Sequence, residues 1–175
     1  MSIEIKTAAE WLRLSHIDRW AIISTATRQS VAEHTWRVWA LVHIWGPKCG
    51  LTAGEQAIAE RYALLHDMPE IRTGDMPTTI KTPEAKAAMA AFERSALPEL
   101  AQAEDGLPRH VADLVKACDT AEAILFLKVH GLGRHADDVR RLLEAQMSDR
   151  LSASALSDEV KETIATLFLD TYHDT

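Results

Sequence analysis

Three helix-start signatures punctuate the first half of the chain, and they constrain its fold more than any other feature. SVAE at positions 30–33 and TAGE at 52–55 each set a hydroxyl residue three positions ahead of a glutamate. In that pattern the two side chains satisfy the free donors of a first helical turn. TPEA at 82–85 sets a cap ahead of a proline, whose fixed φ suits the first helical position. Helical periodicity follows the first two: Val31, Trp36, Trp39 and Val42 fill one face of a helix to about Trp45, and Ile58, Tyr62 and Leu65 cover a face of the next. Ala and Leu dominate, alternating β-branched runs are absent, and Gly and Pro gather at the joints, so the fold class is all-α.

The remaining elements follow the same logic. A short helix covers roughly 8–17. IRTGDMPTTIK at 71–81 reads as a loop, with GD and MP marking turns. The helix capped by Thr82 runs to about Leu97, and a loop through EDGLPR follows it. A helix near 110–129 is apolar on most sides around Val115, Ile124, Leu125 and Leu127, which places it at the centre of the core. Gly131 and Gly133 end it. Two more helices are expected at about 137–147 and 158–172, the second with Val160, Ile164, Leu167 and Phe168 on one face. With 175 residues and no repeat or linker, the chain is expected to form one domain over 1–175.

Composition excludes several function classes. Cys49 and Cys118 fit neither a disulfide scaffold nor a paired zinc motif, which points to a reducing compartment, the cytoplasm. No charged-then-apolar leader opens the sequence and no uncharged apolar run approaches membrane-spanning length, so no membrane partner is expected. A net charge of −7, from 19 basic and 26 acidic residues, argues against broad binding of nucleic acid. A small basic pocket for one nucleotide does not show in that sum.

The polar interruptions of these helices carry the chemistry. HDMPE at 66–70 follows the apolar face that ends at Leu65, and Pro69 lacks a donor and crowds the preceding turn, so the helix kinks or stops there. His34 lies in the first turn of its helix among tryptophans and valines. Asp119 sits inside VKACDTAEAILFL, an otherwise buried segment, where a carboxylate requires a cation, a strong hydrogen-bond partner or an exposed position. Singly, each has a plainer reading as a satisfied core histidine or a local hydrogen-bond hub. Together His34, His66, Asp67 and Asp119 make a set of two imidazoles and two carboxylates. Nitrogen and oxygen ligands without thiolate suit Zn, Mn, Co, Ni or Fe(II), with positions open for water or substrate.

The order His34, then His66-Asp67, then Asp119 resembles the H…HD…D signature of the HD-domain metal-dependent phosphohydrolases. IDRW (17–20), VAEHTWRV (31–38), LLHDMPEIRTGDMPTTIK (64–81) and VKACDTAEAILFLK (115–128) are similar to blocks of the 5'-deoxynucleotidase branch, whose bacterial members remove phosphate from deoxynucleoside monophosphates. Those members run longer. A short chain with this motif set is most similar to the phage-encoded dATP triphosphohydrolases, which cleave dATP to deoxyadenosine and triphosphate in phages that replace adenine in their DNA. The resemblance implies an HD-domain helical bundle located in the host cytoplasm. It also implies one divalent transition metal (Zn, Co or Mn) on His34, His66, Asp67 and Asp119, and catalytic or substrate-binding roles for Arg19, Trp20, Glu70 and Asp75.

The residue chemistry agrees with that carry-over. Glu70 lies three residues past Asp67, so both share a face while the helix persists, and Glu70 reaches an attacking water or the leaving O5' as a proton-transfer group should. Arg19 offers a planar fork for phosphate oxygens. Trp20 is expected to wall the sugar-base pocket, with Ile22 and the Met76-Pro77 turn completing an apolar slot for a purine, and Lys81 contacting the β- or γ-phosphates. Without the resemblance, Trp20 is equally a core indole and Lys81 a charge before a cap. Asp75 has three readings: it holds Arg19, positions water or binds the sugar hydroxyl.

The expected function is therefore dATP triphosphohydrolysis by water attack at the α-phosphate. One alternative is a 5'-deoxynucleotidase acting on monophosphates, separated from the first by basic groups reaching beyond the α-phosphate, such as Lys81, Arg28, Arg72 or a residue of another subunit. Another is a helical assembly module with a non-catalytic metal site, which calls for a missing ligand or a missing glutamate, and none is missing. The expected partner is a small deoxynucleotide. Abundant tryptophans on a small chain also suit a subunit interface, so a homo-oligomer is expected.

Overall fold

Capping decides where the helices begin. In a computed structural model, which describes residues 3–76 and 82–174, Thr7 and Glu10 close a capping box ahead of α1 (Ala8–Trp11), which continues as a 3-10 turn over Leu12–His16. Ser30 accepts from the Glu33 amide and starts α2 (Val31–Lys48). The Glu33 carboxylate instead pairs with Arg37 at 2.6 Å, so only half of the expected box forms. Thr52 and Glu55 complete theirs ahead of α3 (Ala53–Leu65). Thr82 caps α5 (Pro83–Ala96), with proline in its first turn.

Pro69 interrupts the chain as its chemistry demands. Helix α3 stops at Leu65, a turn carries His66–Pro69, and a one-turn helix α4 (Glu70–Thr73) starts directly after the proline. The stretch expected as loop from position 71 is thus helical through Thr73. A second departure is α6 (Pro98–Asp105), which lacks a side-chain cap and is marked only by Pro98 in its first turn. The third is α8 (Gly133–Ala153), longer at both ends than expected. Its surface is polar, so apolar period undercounts it; pairs such as Arg140–Glu144 at 2.5 Å and Arg134–Asp138 at 3.7 Å support it along its length.

Helix α7 (Arg109–His130) forms the axis, packed against α2, α3, α8 and α9 (Asp158–Asp174). Its Val111, Leu114, Cys118 and Ile124 are fully buried with Val38 and Val42 of α2, Ala59 and Ala63 of α3 and Ile164 of α9. Most of the expected apolar residues of α2 and α3 do face the core, Val31, Val42 and Leu65 buried and Trp39 and Tyr62 packed against it, but two turn outward. Trp36 is 59% exposed and Ile58 39% exposed, while small alanines meet the neighbouring helix. At Gly46 of α2 an added Cβ would meet the Gln56 side chain of α3, with Oε1 at 2.0 Å. Cys49 and Cys118 are free thiols in this core.

A second, smaller core holds the broken end of α3. Leu65, Met68 and Ile71 pack with Ile5, Leu14, Val31, Leu97 and Leu100. Arg72 ties the N-terminal segment down over it, donating to the carbonyls of Ile3 and Glu4 at 3.0 Å each and pairing with Glu10. Tyr62 packs against both clusters, one helical turn before the turn that carries His66 and Asp67. Among the described residues no sheet forms, and no helix is long and apolar enough to cross a membrane.

Candidate active site

The break after Leu65 turns His66 and Asp67 toward the first turn of α2. His66 Nδ1 lies 2.8 Å from the Ala63 carbonyl, which only accepts, so that nitrogen carries the proton and leaves Nε2 as a lone-pair donor. His34, fully buried, repeats the arrangement: its Nδ1 donates to Glu122 Oε2 at 2.5 Å. Both Nε2 atoms are buried and neither has a hydrogen-bond partner. Between them stands Asp67, with Oδ2 3.4 Å from His34 Nε2 and 3.3 Å from His66 Nε2.

One ligand atom from each of His34, His66 and Asp67 falls within 4.8 Å of the others. Two orphaned imidazole nitrogens around a carboxylate fit a divalent cation, since such groups are otherwise costly to bury. Asp119 borders this trio: Oδ1 is 3.2 Å from His34 Nε2, while Oδ2 accepts from Lys116 Nζ at 2.5 Å. Electrostatics say the same. Burial and Arg19 act to lower the His34 pKa, yet Glu122, Asp119 and Asp67 together push it up to about 10. Carboxylates that hold a proton there so firmly would hold a metal ion in its place.

Glu70, in the first turn of α4, is buried and its Oε2 has no partner. Burial first, then the charges of Asp67 and Asp75, push its pKa up to about 10 against the opposing influence of Arg19 and His34. It is therefore a neutral carboxylic acid at neutral pH, beside but separate from the trio. Arg19, little exposed, donates from Nη1 to Glu122 Oε2 at 3.2 Å, and its guanidinium carbon lies 5.0 Å from the Trp20 ring centroid. Its carboxylate partner within 4 Å is Glu122, while Asp75 acts on it through its charge.

Trp20 stands in the left-handed region at φ 64°, a conformation costing about 1–3 kcal/mol for a side chain of this kind. Three contacts hold it: Arg19, a parallel stack on Phe126 at 5.9 Å between centroids, and a hydrogen bond from Nε1 to Gln29 Oε1 at 2.7 Å. A cavity of about 450 Å³ opens in front of it, large enough for a nucleotide. Arg19, Trp20 and Ile22 form one wall, Asp67, Glu70 and Asp75 line it on the α3–α4 side, and Met76 lines it too. Lys116, Asp119 and Arg150 face it from α7 and α8. Pro77 and Lys81 lie outside the described residues.

Several functional groups escaped the sequence reading. Glu122 was legible: it lies one turn beyond Asp119 in the same buried segment, and the reasoning that singles out one carboxylate applies to the other. Its Oε1 accepts from Gln29 Nε2 at 2.6 Å. Burial opposes ionisation of Glu122, but His34, Arg19 and Gln29 outweigh it and lower its pKa. Lys116 was legible one turn before Asp119. Gln29 has no sequence signal. Conversely, Arg28 and Arg72 are engaged elsewhere, Arg28 with Asp18 and the Ser15 carbonyl and Arg72 with the N-terminal segment, so neither faces the cavity.

Comparison with known proteins bears on the same groups. A family model described as 5'-deoxynucleotidase YfbR-like matches residues 8–167. The chain is 48% identical over 164 residues to the dATP triphosphohydrolase of cyanophage S-2L, covering 94% of each. It is 34% identical over 140 residues to the dATP triphosphohydrolase of Salmonella phage PMBT28, covering 75% of this chain and 71% of that one. A 5'-deoxynucleotidase YfbR of Shigella flexneri is 33% identical over 107 residues, 58% of this chain and 52% of that one. Among solved structures, the cyanophage S-2L HD phosphohydrolase bound to dA and one catalytic Zn2+ ion matches with a TM-score of 0.96 and 46% identity. That match covers 98% of this chain and 99% of the other.

Proposed function

We propose that this chain, which belongs to the 5'-deoxynucleotidase YfbR-like family and is a metal-dependent HD-domain phosphohydrolase, converts dATP and water to deoxyadenosine and triphosphate. The observation that carries this reading is the fit, at a TM-score of 0.96 over almost the full length of both chains, to a phosphohydrolase bound to dA and zinc. The cavity chemistry supports it. The enzyme uses a single divalent metal, and His34, His66, Asp67 and Asp119 are the residues that would hold it. When bound, such a metal acidifies water and polarises a phosphoryl oxygen.

The chain's own residues supply the rest. Arg19, fixed by Glu122, clamps the α-phosphate oxygens and holds the charge that grows on them. A water molecule adds to phosphorus as the bond from phosphorus to O5' breaks, Glu70 gives its proton to O5' so that deoxyadenosine leaves, and the proton shed by the added water restores Glu70. Asp75 serves this step electrostatically, since its charge helps keep Glu70 protonated. Trp20 walls the sugar, and Ile22 and Met76 border the purine; Pro77 is assigned there from the sequence alone. Lys116 and Arg150 face the cavity from α7 and α8, where β- and γ-phosphates find counter-charge, and Lys81 is assigned the same role from the sequence alone.

The assembly state belongs to the same reading. Trp36 and Ile44 are 59% and 53% exposed on the outer face of α2, and we place a homo-oligomer contact there, in a protein working in the cytoplasm of its host cell. The test of the function is product identification. Incubation with dATP should yield triphosphate and deoxyadenosine; inorganic phosphate released faster from dAMP would establish the deoxynucleotidase alternative instead. A metal-loaded protein inert on both would leave the helical assembly module.

A further inference from the structure

Gln29 is 1% exposed, lies just outside α2, and holds the Arg19-Trp20 dipeptide at two points. Its carbonyl accepts from the Arg19 amide at 3.0 Å, and its side-chain oxygen accepts from the Trp20 indole at 2.7 Å. Its side-chain nitrogen donates to Glu122 Oε1 at 2.6 Å. The other oxygen of Glu122 accepts from His34 and Arg19. The polarity of this relay is forced. An indole nitrogen only donates and a carboxylate only accepts, so the connecting group must offer an acceptor to one and a donor to the other. A primary amide does both. A carboxylate, a thioether or an aliphatic group of the same length leaves at least one buried partner unsatisfied.

We propose that Gln29 is a positioning residue for sugar selection: anchored on Glu122, it fixes the plane of the Trp20 indole as a rigid wall against C2' of the nucleoside. The wall needs an anchor because Trp20 sits at φ 64°, where the backbone alone does not favour it. Glu122 serves a separate group through its other oxygen, setting the proton on His34 Nδ1 so that Nε2 faces the trio. The two ends of the relay therefore do different work: Gln29 governs the sugar, Glu122 the metal. This rests on the nucleoside-pocket reading of Trp20 and not on how many phosphates the substrate carries.

The test uses nucleosides, so it is independent of the phosphate question. In zinc-loaded protein, Gln29→Met should reduce the preference for deoxyadenosine over adenosine, read as a ratio of dissociation constants, by about tenfold or more. Zinc affinity, read by competition with a chelating dye, should stay within about twofold of the parent protein. Glu122→Gln should by contrast weaken zinc binding by about 10–100-fold. In a Trp20→Phe background, which lacks the indole donor, Gln29→Met should have no further effect on the sugar preference. An unchanged preference in Gln29→Met, an additive loss in the double variant, or equal damage to zinc affinity would each overturn the proposal. Should Gln29→Met fail to fold, the parent protein decides it: the Trp20 indole proton, assigned by its loss in Trp20→Phe, should resist solvent exchange, and rapid exchange overturns the relay.

Discussion

Replacing Glu70 by glutamine separates proton transfer from every other role this residue can have. Glu70 is buried, its Oε2 has no partner, and burial with Asp67 and Asp75 pushes its pKa up to about 10. Burial and the two neighbouring carboxylates thus favour the neutral form at pH 7. Exchanging a neutral acid for a neutral amide of the same shape therefore leaves the field at His34, His66 and Asp67 almost untouched. Only the transferable proton is lost. General acid catalysis by a positioned group contributes about 10²–10⁴-fold, so Glu70→Gln should slow turnover of saturating dATP by that factor, about 3–5 kcal/mol of barrier. The assay is triphosphate release at saturating dATP beside elemental analysis of bound metal. Near-normal turnover with metal retained would refute the acid role. Turnover lost together with the metal would show that Glu70 is a ligand.

Three further outcomes follow from the same geometry. Exhaustive chelation should abolish turnover and one equivalent of Zn, Co or Mn per chain should restore it, with anomalous scattering between His34, His66, Asp67 and Asp119; a refined ion elsewhere would sink the assignment. The N-terminal tether should be acid-labile. Arg72, then the Lys6 and Thr7 amides, hold the Glu10 pKa down at about 2. A depressed carboxylate stabilises the fold above its ordinary value of 4.5 and loses that contribution as pH falls toward 2, so the protection factors of the amides over residues 3–10, taken relative to the intrinsic exchange rate at each pH, should fall across that window; unchanged protection factors would refute the tether. Gly131→Ala should destabilise by about 1–3 kcal/mol in denaturant titration, because the added Cβ meets the Leu127 carbonyl at 2.5 Å, a backbone atom that cannot swing aside. A midpoint equal to the parent's would show that the turn relaxes freely.

What the sequence revealed depended on how local the cause is. The starts of α2, α3 and α5 are written in three or four residues each, because a hydroxyl and its amide partners lie within one turn. His34, His66, Asp67 and Asp119 stood out as polar groups where period asks for apolar ones. Glu122 obeyed the same rule and was passed over. Periodicity groups Trp36 with Val31, Trp39 and Val42, yet α2 presents Val38, Val42 and Trp45 inward and leaves Trp36 exposed. Helix α6 starts without a side-chain cap, and only Pro98 and Glu99 in its first turn announce it. Gln29 is different in kind: its importance comes from an indole nine residues before it and a carboxylate 93 residues after it, and no local pattern encodes such a meeting.

Substrate selection should separate base, sugar and phosphate in one panel of dATP, dGTP, ATP, 2-amino-dATP and dAMP. Ile22 lines the cavity and is 57% exposed, an apolar surface that a purine edge would cover. Packed against it, a 2-amino group has no acceptor, and an unpaired buried donor costs about 1–3 kcal/mol, or roughly 5–150-fold in affinity. dGTP and 2-amino-dATP should therefore be poorer than dATP by a factor in that range. ATP should be poorer because the Trp20 indole, fixed by Gln29 and Phe126, leaves little room for a 2'-hydroxyl. Ile22→Asn supplies the missing acceptor and should narrow the gap between dGTP and dATP without altering the product, triphosphate. If dGTP matches dATP in the parent protein at equal metal loading, the Ile22 argument fails while the triphosphohydrolase chemistry stands. If dAMP is hydrolysed faster than dATP, Lys116 and Arg150 do not engage outer phosphates, and the enzyme is a deoxynucleotidase.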